Sequence, residues 1–150
     1  MFEFLFGGNK DLSQNSKKVK RWQAEHKALA NTALSVVKNY EENDMKKARK
    51  QLEKLQDIAL AHLMDEDNTF FKLFDKAKDT KTDQEIVDSI KKFRTSFIDI
   101  KSTIFYFFIK YTNPKHELDA VFKEKLDGII NALIKRMEFE ENNLYKLIDN

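Results

Sequence analysis

The sequence contains no cysteine, one proline and only three glycines among its 150 residues. Without cysteine the chain can form no disulfide, no thiolate metal site and no cysteine nucleophile, which suits a reducing cytoplasm. Turn-forming residues are scarce, whereas charged residues make up 35% and apolar residues 41% of the chain, a balance that favours helices. A chain of this length is about one domain. The composition therefore predicts a cytoplasmic, all-α domain.

The sequence also lacks a long apolar run and a strong excess of one charge. Its longest apolar run, residues 104–109, is closed by Lys110 and is much shorter than the roughly 20 residues that a membrane-spanning helix needs. The 27 basic and 25 acidic side chains are mixed along the chain and give a formal net charge of +2, so we expect no basic face for phosphate backbones. Neither a membrane nor a nucleic acid is an expected partner.

Four segments have the pattern of long helices. They are residues 16–40, 44–78, 82–112 and 113 to the end. Asn43 or Asp44 can cap the second helix, residues 82–85 form a capping box for the third, and Asn113-Pro114 predicts the start of the fourth. Long helices with short connections predict an antiparallel up-down-up-down four-helix bundle over residues 16–150, preceded by an N-terminal arm over residues 1–15.

Each predicted helix carries a row of inward positions at spacings of three and four residues. On the third helix this row is entirely apolar: Ile86, Ile90, Phe93, Phe97, Ile100, Ile104 and Tyr111. On the other three helices the rows also include five ionisable side chains: His26, His62, Glu66, Arg136 and Glu140. At about 1.5 Å per residue along antiparallel helices, all five lie at depths that agree within two turns. We therefore expect one polar layer near one end of the bundle.

This polar layer has the residue types of a metal site. His62 and Glu66 are four residues apart, a spacing that places both side chains over one face of a helix. His26 and Glu140 could complete a set of two imidazoles and two carboxylates, which suits zinc or iron. Arg136 offers a different solution, because a guanidinium can pair with both glutamates and leave a compensated network that needs no ion.

Three short motifs carry a resemblance to a known family. They are His26 within WQAEHKAL, His62-x-x-x-Glu66 followed by an aromatic pair, and residues 136–145, RMEFEENNLY. This arrangement resembles the hemerythrin-like, or HHE cation-binding, domain over about residues 16–148. The resemblance implies a site for two irons that binds or senses oxygen or stores metal. His26, His62, Glu66 and Glu140 match its ligand positions.

The sequence departs from that family at three positions. Arg136 stands where the resemblance implies a histidine, and Phe93 and Phe97 stand where the third helix would supply two more. Two imidazoles and two carboxylates are too few for two irons, so a di-iron oxygen carrier is not expected. We expect a metal-free network of His26, His62, Glu66, Arg136 and Glu140 in preference to a bound ion. If an ion binds, we expect a single iron or zinc ion.

Two classes of function remain open. The first is a hemerythrin-like binding or sensing protein with an incomplete metal site. The second is a metal-free regulatory protein that binds a partner such as an RNA polymerase sigma factor, because Arg21-Trp22 and Arg136-x-x-x-Glu140 are similar to features of bacterial regulators of sigma D. An enzyme is not expected: the chain has no glycine-rich phosphate loop, no inward serine beside a histidine, and no Glu-x-x-His pair of the kind a ferritin-like oxidase needs.

The N-terminal arm contains Phe2, Phe4 and Phe6 ahead of the Gly7-Gly8 pair. These side chains could pack onto the bundle, or they could dock a protein partner or a second copy of the chain as a homodimer. We expect them to pack onto their own bundle, because an exposed cluster of phenylalanines promotes aggregation.

Deletion of residues 1–8 should therefore lower the melting temperature and leave the oligomeric state unchanged. Differential scanning calorimetry measures the first quantity, and size-exclusion chromatography with light scattering measures the second. A full-length dimer that becomes a monomer of equal thermal stability on deletion would assign the arm to docking instead.

Overall fold

The computed structural model describes residues 14–79 and 84–145, which form a four-helix bundle. The helices are α1 (Gln14–Glu41), α2 (Met45–Asp79), α3 (Gln84–Tyr111) and α4 (Ala120–Phe139), and α4 continues into a π-helical turn, Glu140–Leu144. Each helix packs against the next along the chain, and α4 also contacts α1. The predicted all-α bundle is confirmed, and none of the described residues forms a strand. Most of the predicted arm, together with Thr82 of the predicted capping box, lies outside the described residues.

The connection between α1 and α2 uses both capping candidates, each for a different purpose. Asn43 has a φ of 61°, the left-handed conformation that asparagine tolerates at the end of a helix. The Asp44 amide donates to the Asn39 carbonyl, at 2.9 Å, which closes the last turn of α1. The Asp44 carboxylate accepts from the Lys47 amide at 3.2 Å. Asp44 is therefore the cap of α2, and Asn43 ends α1.

The prediction that the fourth helix starts at Asn113-Pro114 is wrong, because these residues form a turn. The Asn113 side chain accepts from the Lys115 amide, and the Asn113 carbonyl accepts from the His116 amide. Arg49 of α2 donates to the carbonyls of Tyr111, Asn113 and His116, which holds the connection open as a loop. The helix starts only at Ala120, where the Asp119 carboxylate accepts from the Phe122 amide at 2.9 Å.

Two apolar clusters fill the interior of the bundle. The larger one runs along most of its length and includes Leu29, Leu55, Leu63, Leu133 and Met137. The smaller one consists of Val19, Trp22, Phe70, Leu144 and Tyr145. The ionisable inward residues lie where one cluster gives way to the other along the chain. His26, for example, lies between Trp22 of the smaller cluster and Leu29 of the larger one. The predicted polar layer is thus enclosed by apolar side chains above and below.

One inward prediction on α3 is wrong. Ile100 is 37% exposed, although its neighbours in the row, Phe97 and Ile104, are buried. Gly128 and Ala132 of α4 lie opposite Ile100. Because these two residues are small, a groove remains between α3 and α4, and it extends to Arg136. Among the described residues, the helices include none that is both long and apolar enough to cross a bilayer.

Replacement of Asp119 by alanine tests the corrected start of α4. Asp119→Ala removes the side chain that caps the Phe122 amide, so the free energy of unfolding should fall by about 1 kcal/mol in urea denaturation. Asp119→Asn should retain most of the stability that the cap contributes, because asparagine caps a helix about equally well. If the helix began at residue 114 instead, alanine at position 119 would be neutral or stabilising.

Candidate metal centre

Five ionisable side chains meet in the enclosed layer of the bundle. His26 comes from α1, His62 and Glu66 from α2, Arg136 from α4 and Glu140 from the π-helical turn. All five are buried, and Arg136 is the most exposed of them at 5%. Charged side chains are rarely buried unless they are paired, so the contacts among these five decide whether the layer is stable.

The two imidazoles and the two carboxylates direct one donor atom each into the same small region. The Nε2 atoms of His26 and His62 are 3.0 Å apart. The Nε2 atom of His62 lies 2.9 Å from Oε1 of Glu66, and that of His26 lies 3.1 Å from Oε1 of Glu140. One donor atom from each of the four residues lies within 4.8 Å of all the others. The four candidate ligands named from the sequence therefore share one small volume.

The opposite sides of both imidazole rings face carboxylates. The Nδ1 atom of His62 lies 2.7 Å from Oε1 of Glu25, and the Nδ1 atom of His26 lies 3.4 Å from Oε1 of Glu141. In protein metal sites a ligating histidine commonly directs its other ring nitrogen to a carboxylate, which fixes the tautomer and the ring orientation. Here that orientation turns both Nε2 atoms towards Glu66 and Glu140.

Arg136 occupies the side of the layer away from the histidines. Its Nε atom donates to Oε2 of Glu140 at 2.7 Å, and an Nη atom donates to Oε1 of Glu66 at 3.3 Å. Its guanidinium carbon lies 3.6 Å from the centre of the Phe97 ring, a cation–π contact with α3. Glu140 is therefore shared, with one oxygen facing His26 and the other held by Arg136.

The charges of the layer are set by these pairings. Burial raises the pKa of Glu140, but the positive charge of Arg136 and the hydrogen bond with His26 outweigh it and hold the pKa far below its usual range. Burial and the nearby charge of Glu140 raise the pKa of Glu66 to about 7. Burial lowers the pKa of His62, but the charge of Glu66 and the hydrogen bond to Glu25 raise it to about 10. Glu140 is thus the permanently ionised carboxylate of the pair.

The two histidines limit each other's protonation. Their Nε2 atoms lie within hydrogen-bonding distance, and a hydrogen bond between them needs one donor and one acceptor. Such a bond leaves one ring with a lone pair at Nε2, although the carboxylates around the layer outweigh burial and hold the pKa of both histidines above its usual value. A lone pair on imidazole nitrogen is also what a metal ion requires of its ligand.

Tyr145 belongs to this layer, although nothing in the sequence spacing indicates it. Its hydroxyl donates to Oε2 of Glu66 and lies 3.1 Å from Nε2 of His26 and 3.4 Å from Oε1 of Glu140. In a regular α-helix, residues five apart point about 140° away from each other. The π-helical turn removes this offset, because the Tyr145 amide donates to the Glu140 carbonyl and one extra residue enters the turn.

Sequence reasoning also missed the two carboxylates behind the imidazoles. Glu25 is adjacent to His26 in sequence, yet it contacts the histidine of the other helix. Glu141 follows Glu140 and contacts His26. Both residues look like ordinary surface charges in a Glu-rich chain, so only the packing of α1 against its neighbours identifies them. Phe97, which the resemblance placed at a ligand level, instead packs its ring against the guanidinium.

Imidazole and carboxylate groups that converge from three helices in an enclosed layer define a helical-bundle protein of the cation-binding class. A family model, the hemerythrin HHE cation binding domain, matches residues 17–148. The chain belongs to this family. No curated protein and no solved structure matches the chain, so the resemblance to regulators of sigma D has no support beyond the residues quoted for it.

Removal of Arg136 should destabilise the metal-free protein strongly. Arg136→Met leaves Glu140 and Glu66 without their common partner in a buried layer, and the free energy of unfolding should fall by about 3 to 5 kcal/mol. Urea denaturation in the presence of a chelator measures this loss. The matched control is Lys135→Met, which removes the same charge from an exposed neighbour and should change stability by no more than about 0.5 kcal/mol.

A second substitution separates loss of charge from loss of packing. Adding Glu140→Gln to Arg136→Met removes the carboxylate that was left unpaired, so part of the lost stability should return. If the double variant regains no stability, the unpaired carboxylate of Glu140 is not the cause of the loss, which then falls to the lost packing of the guanidinium on Phe97.

Proposed function

We propose that this protein is a cation-binding module that holds one iron or zinc ion between His26, His62, Glu66 and Glu140. The observation that carries this proposal is the orientation of the two imidazoles. Both direct Nε2 to the same point as the two glutamates, and both direct Nδ1 to a second carboxylate, Glu25 or Glu141. In the absence of an ion the same carboxylates can pair with protonated imidazolium rings, and a bound ion would take the place of the proton at each Nε2 atom.

The distances within the layer support a single ion. At bond lengths of about 2.0 to 2.1 Å, neighbouring ligand atoms around one ion lie about 2.9 to 3.4 Å apart. The three neighbouring donor pairs in the layer are separated by 2.9, 3.0 and 3.1 Å. Two nitrogen and two oxygen donors suit zinc and iron better than the oxygen-preferring calcium and magnesium ions.

Arg136 argues against a second ion. Its guanidinium binds Oε2 of Glu140, the oxygen through which this carboxylate would reach a second metal, and it also contacts Oε1 of Glu66 at 3.3 Å. It is a permanent positive charge and has no lone pair to offer as a ligand. α3 contains no histidine, and its Phe97 supplies a ring face at this level. We therefore expect neither a di-iron centre nor reversible oxygen carriage.

When bound, the ion would neutralise the carboxylates of Glu66 and Glu140 and link α1, α2 and the turn after α4. A ligand that binds the folded protein more tightly than the unfolded chain stabilises the fold. Occupancy would therefore change the stability of the bundle end that contains Trp22 and Leu144. Such a coupling suits a sensing or binding protein. The metal-free network expected from the sequence stays a prediction, and it is the alternative to this proposal.

Metal titration tests the proposal directly. Chelator-treated protein, titrated with Zn²⁺ or Fe²⁺ and analysed for bound metal after desalting, should retain one equivalent per chain. His62→Gln should lose this binding, because it removes a ligand. Glu25→Gln should weaken it by about tenfold, because the carboxylate behind His62 orients the ring.

The matched control is His116→Gln, which replaces an exposed histidine in the loop before α4 and should bind metal like the unaltered protein. Two retained ions per chain would contradict the single-ion site. No retained ion would favour the metal-free regulatory function instead.

A further inference from the structure

We propose that two copies of this chain associate through the groove between α3 and α4, with their α3 helices antiparallel across a two-fold axis. The contact surface is a row of four exposed residues on α3, which we call the α3 row: Asp99, Thr103, Tyr106 and Lys110. All four also line the groove. This surface lies outside the polar layer, and the proposal does not depend on a bound ion.

The outer face of this part of α3 carries large apolar side chains. Tyr106 is 74% exposed, and Ile98 and Ile109 are 61% and 66% exposed. The two isoleucines are about three turns apart and therefore lie on the same side of the helix. A helix that faces only water carries polar and charged residues on its outer face, whereas neighbouring exposed apolar side chains mark contacts with other molecules. The outer face of α3 is therefore a candidate contact surface.

Gly128, on the α4 side of the groove, has no explanation in the packing of a single chain. It lies inside α4, where glycine destabilises a helix relative to alanine. Its φ is not positive, and a Cβ atom at this position would meet none of the described atoms within 4 Å. Neither the backbone nor the neighbouring side chains require glycine here. A residue without a side chain does let a second molecule approach the groove closely.

The spacing within the α3 row fits a two-fold contact. Its members follow one another at intervals of four, three and four residues, which keeps them on one face of the helix. These intervals are the same in both directions along the chain. An antiparallel copy centred between residues 104 and 105 therefore places Asp99 opposite the partner's Lys110 and Thr103 opposite the partner's Tyr106. In a two-fold contact each of these pairs occurs twice.

Charge and size are both complementary in this arrangement. Each Asp99 carboxylate faces the Lys110 ammonium group of the other copy, whereas a parallel pairing in register would place like charges against each other. Each Tyr106 ring lies level with Thr103 of the other copy, over the part of the groove that is lined by Gly128 and Ala132. An aromatic side chain that fills a pocket is a common centre of a protein interface.

Sedimentation equilibrium of full-length, chelator-treated protein measures this association. We expect a dimer, and a protein that stays monomeric up to about 100 μM would overturn the proposal. Gly128→Leu fills the groove and should raise the Kd of the dimer by about tenfold or more. Circular dichroism should show that the bundle still folds, because a Cβ atom at this position meets no described atom within 4 Å.

Exchange of two charges tests the antiparallel pairing. Asp99→Lys places like charges together and should raise the Kd by about tenfold or more, and Lys110→Glu should do the same. The double variant restores opposite charges, so its Kd should lie within about threefold of that of the unaltered protein. Within one chain the two positions are about 16 Å apart, roughly twice the Debye length at physiological salt, so a recovery reports contact between two copies.

Asp57→Lys is the matched control, because Asp57 is exposed on α2 and does not line the groove. It should leave the Kd unchanged. A dimer that none of the three single variants at positions 99, 110 and 128 weakens would overturn the proposal, as would a double variant that associates as weakly as the single ones.

Deletion of residues 1–8 distinguishes the other possible occupants of the groove. The proposed dimer should survive this deletion. A dimer that is lost would assign the association to the N-terminal arm, and a monomer that dimerises only after the deletion would show that the arm itself fills the groove. Either result would overturn the proposal. None of these measurements depends on metal retention, so the single-ion site stands or falls separately.

Discussion

The ionised carboxylate of Glu140 is the charge on which the rest of the polar layer depends. It lies in an interior enclosed by two apolar clusters, where an unpaired charge costs several kcal/mol. Arg136 binds one of its oxygens and His26 contacts the other. These two contacts divide the layer into a half with a permanent cation and a half with two imidazoles. The positions of the other side chains in the layer follow from these two contacts.

The division gives a physical account of the two related motifs in the chain. Residues 62–71 and residues 136–145 align so that Glu66 matches Glu140, but a histidine begins the first motif and an arginine begins the second. Two carboxylates this close would repel each other without a cation between them. The guanidinium provides one such cation permanently, and a bound ion would provide the other in the half lined by imidazoles. The family match to a cation-binding domain agrees with the cluster of two imidazoles and two carboxylates in this layer.

Local sequence patterns predicted the helices and the level of the polar layer correctly. They failed where contacts with residues distant in sequence determine the structure. Asn113-Pro114 has the local signature of a helix start, yet Arg49, which is distant in sequence, binds the carbonyls of that segment and keeps it a loop. Ile100 fits the apolar row of α3, yet small residues on α4 leave it partly exposed. Tyr145 lies off the α-helical row and enters the layer only through the π-helical turn.

The sequence by itself determined the all-α bundle and the meeting of His26, His62, Glu66, Arg136 and Glu140 in one layer, because helical periodicity and depth along each helix depend only on spacing. Tertiary structure alone decided how those groups are oriented. Packing between the helices directs both Nε2 atoms inward and places Glu25 and Glu141 behind the two rings. These orientations depend on contacts between residues of different helices, which the pattern of a single segment does not contain.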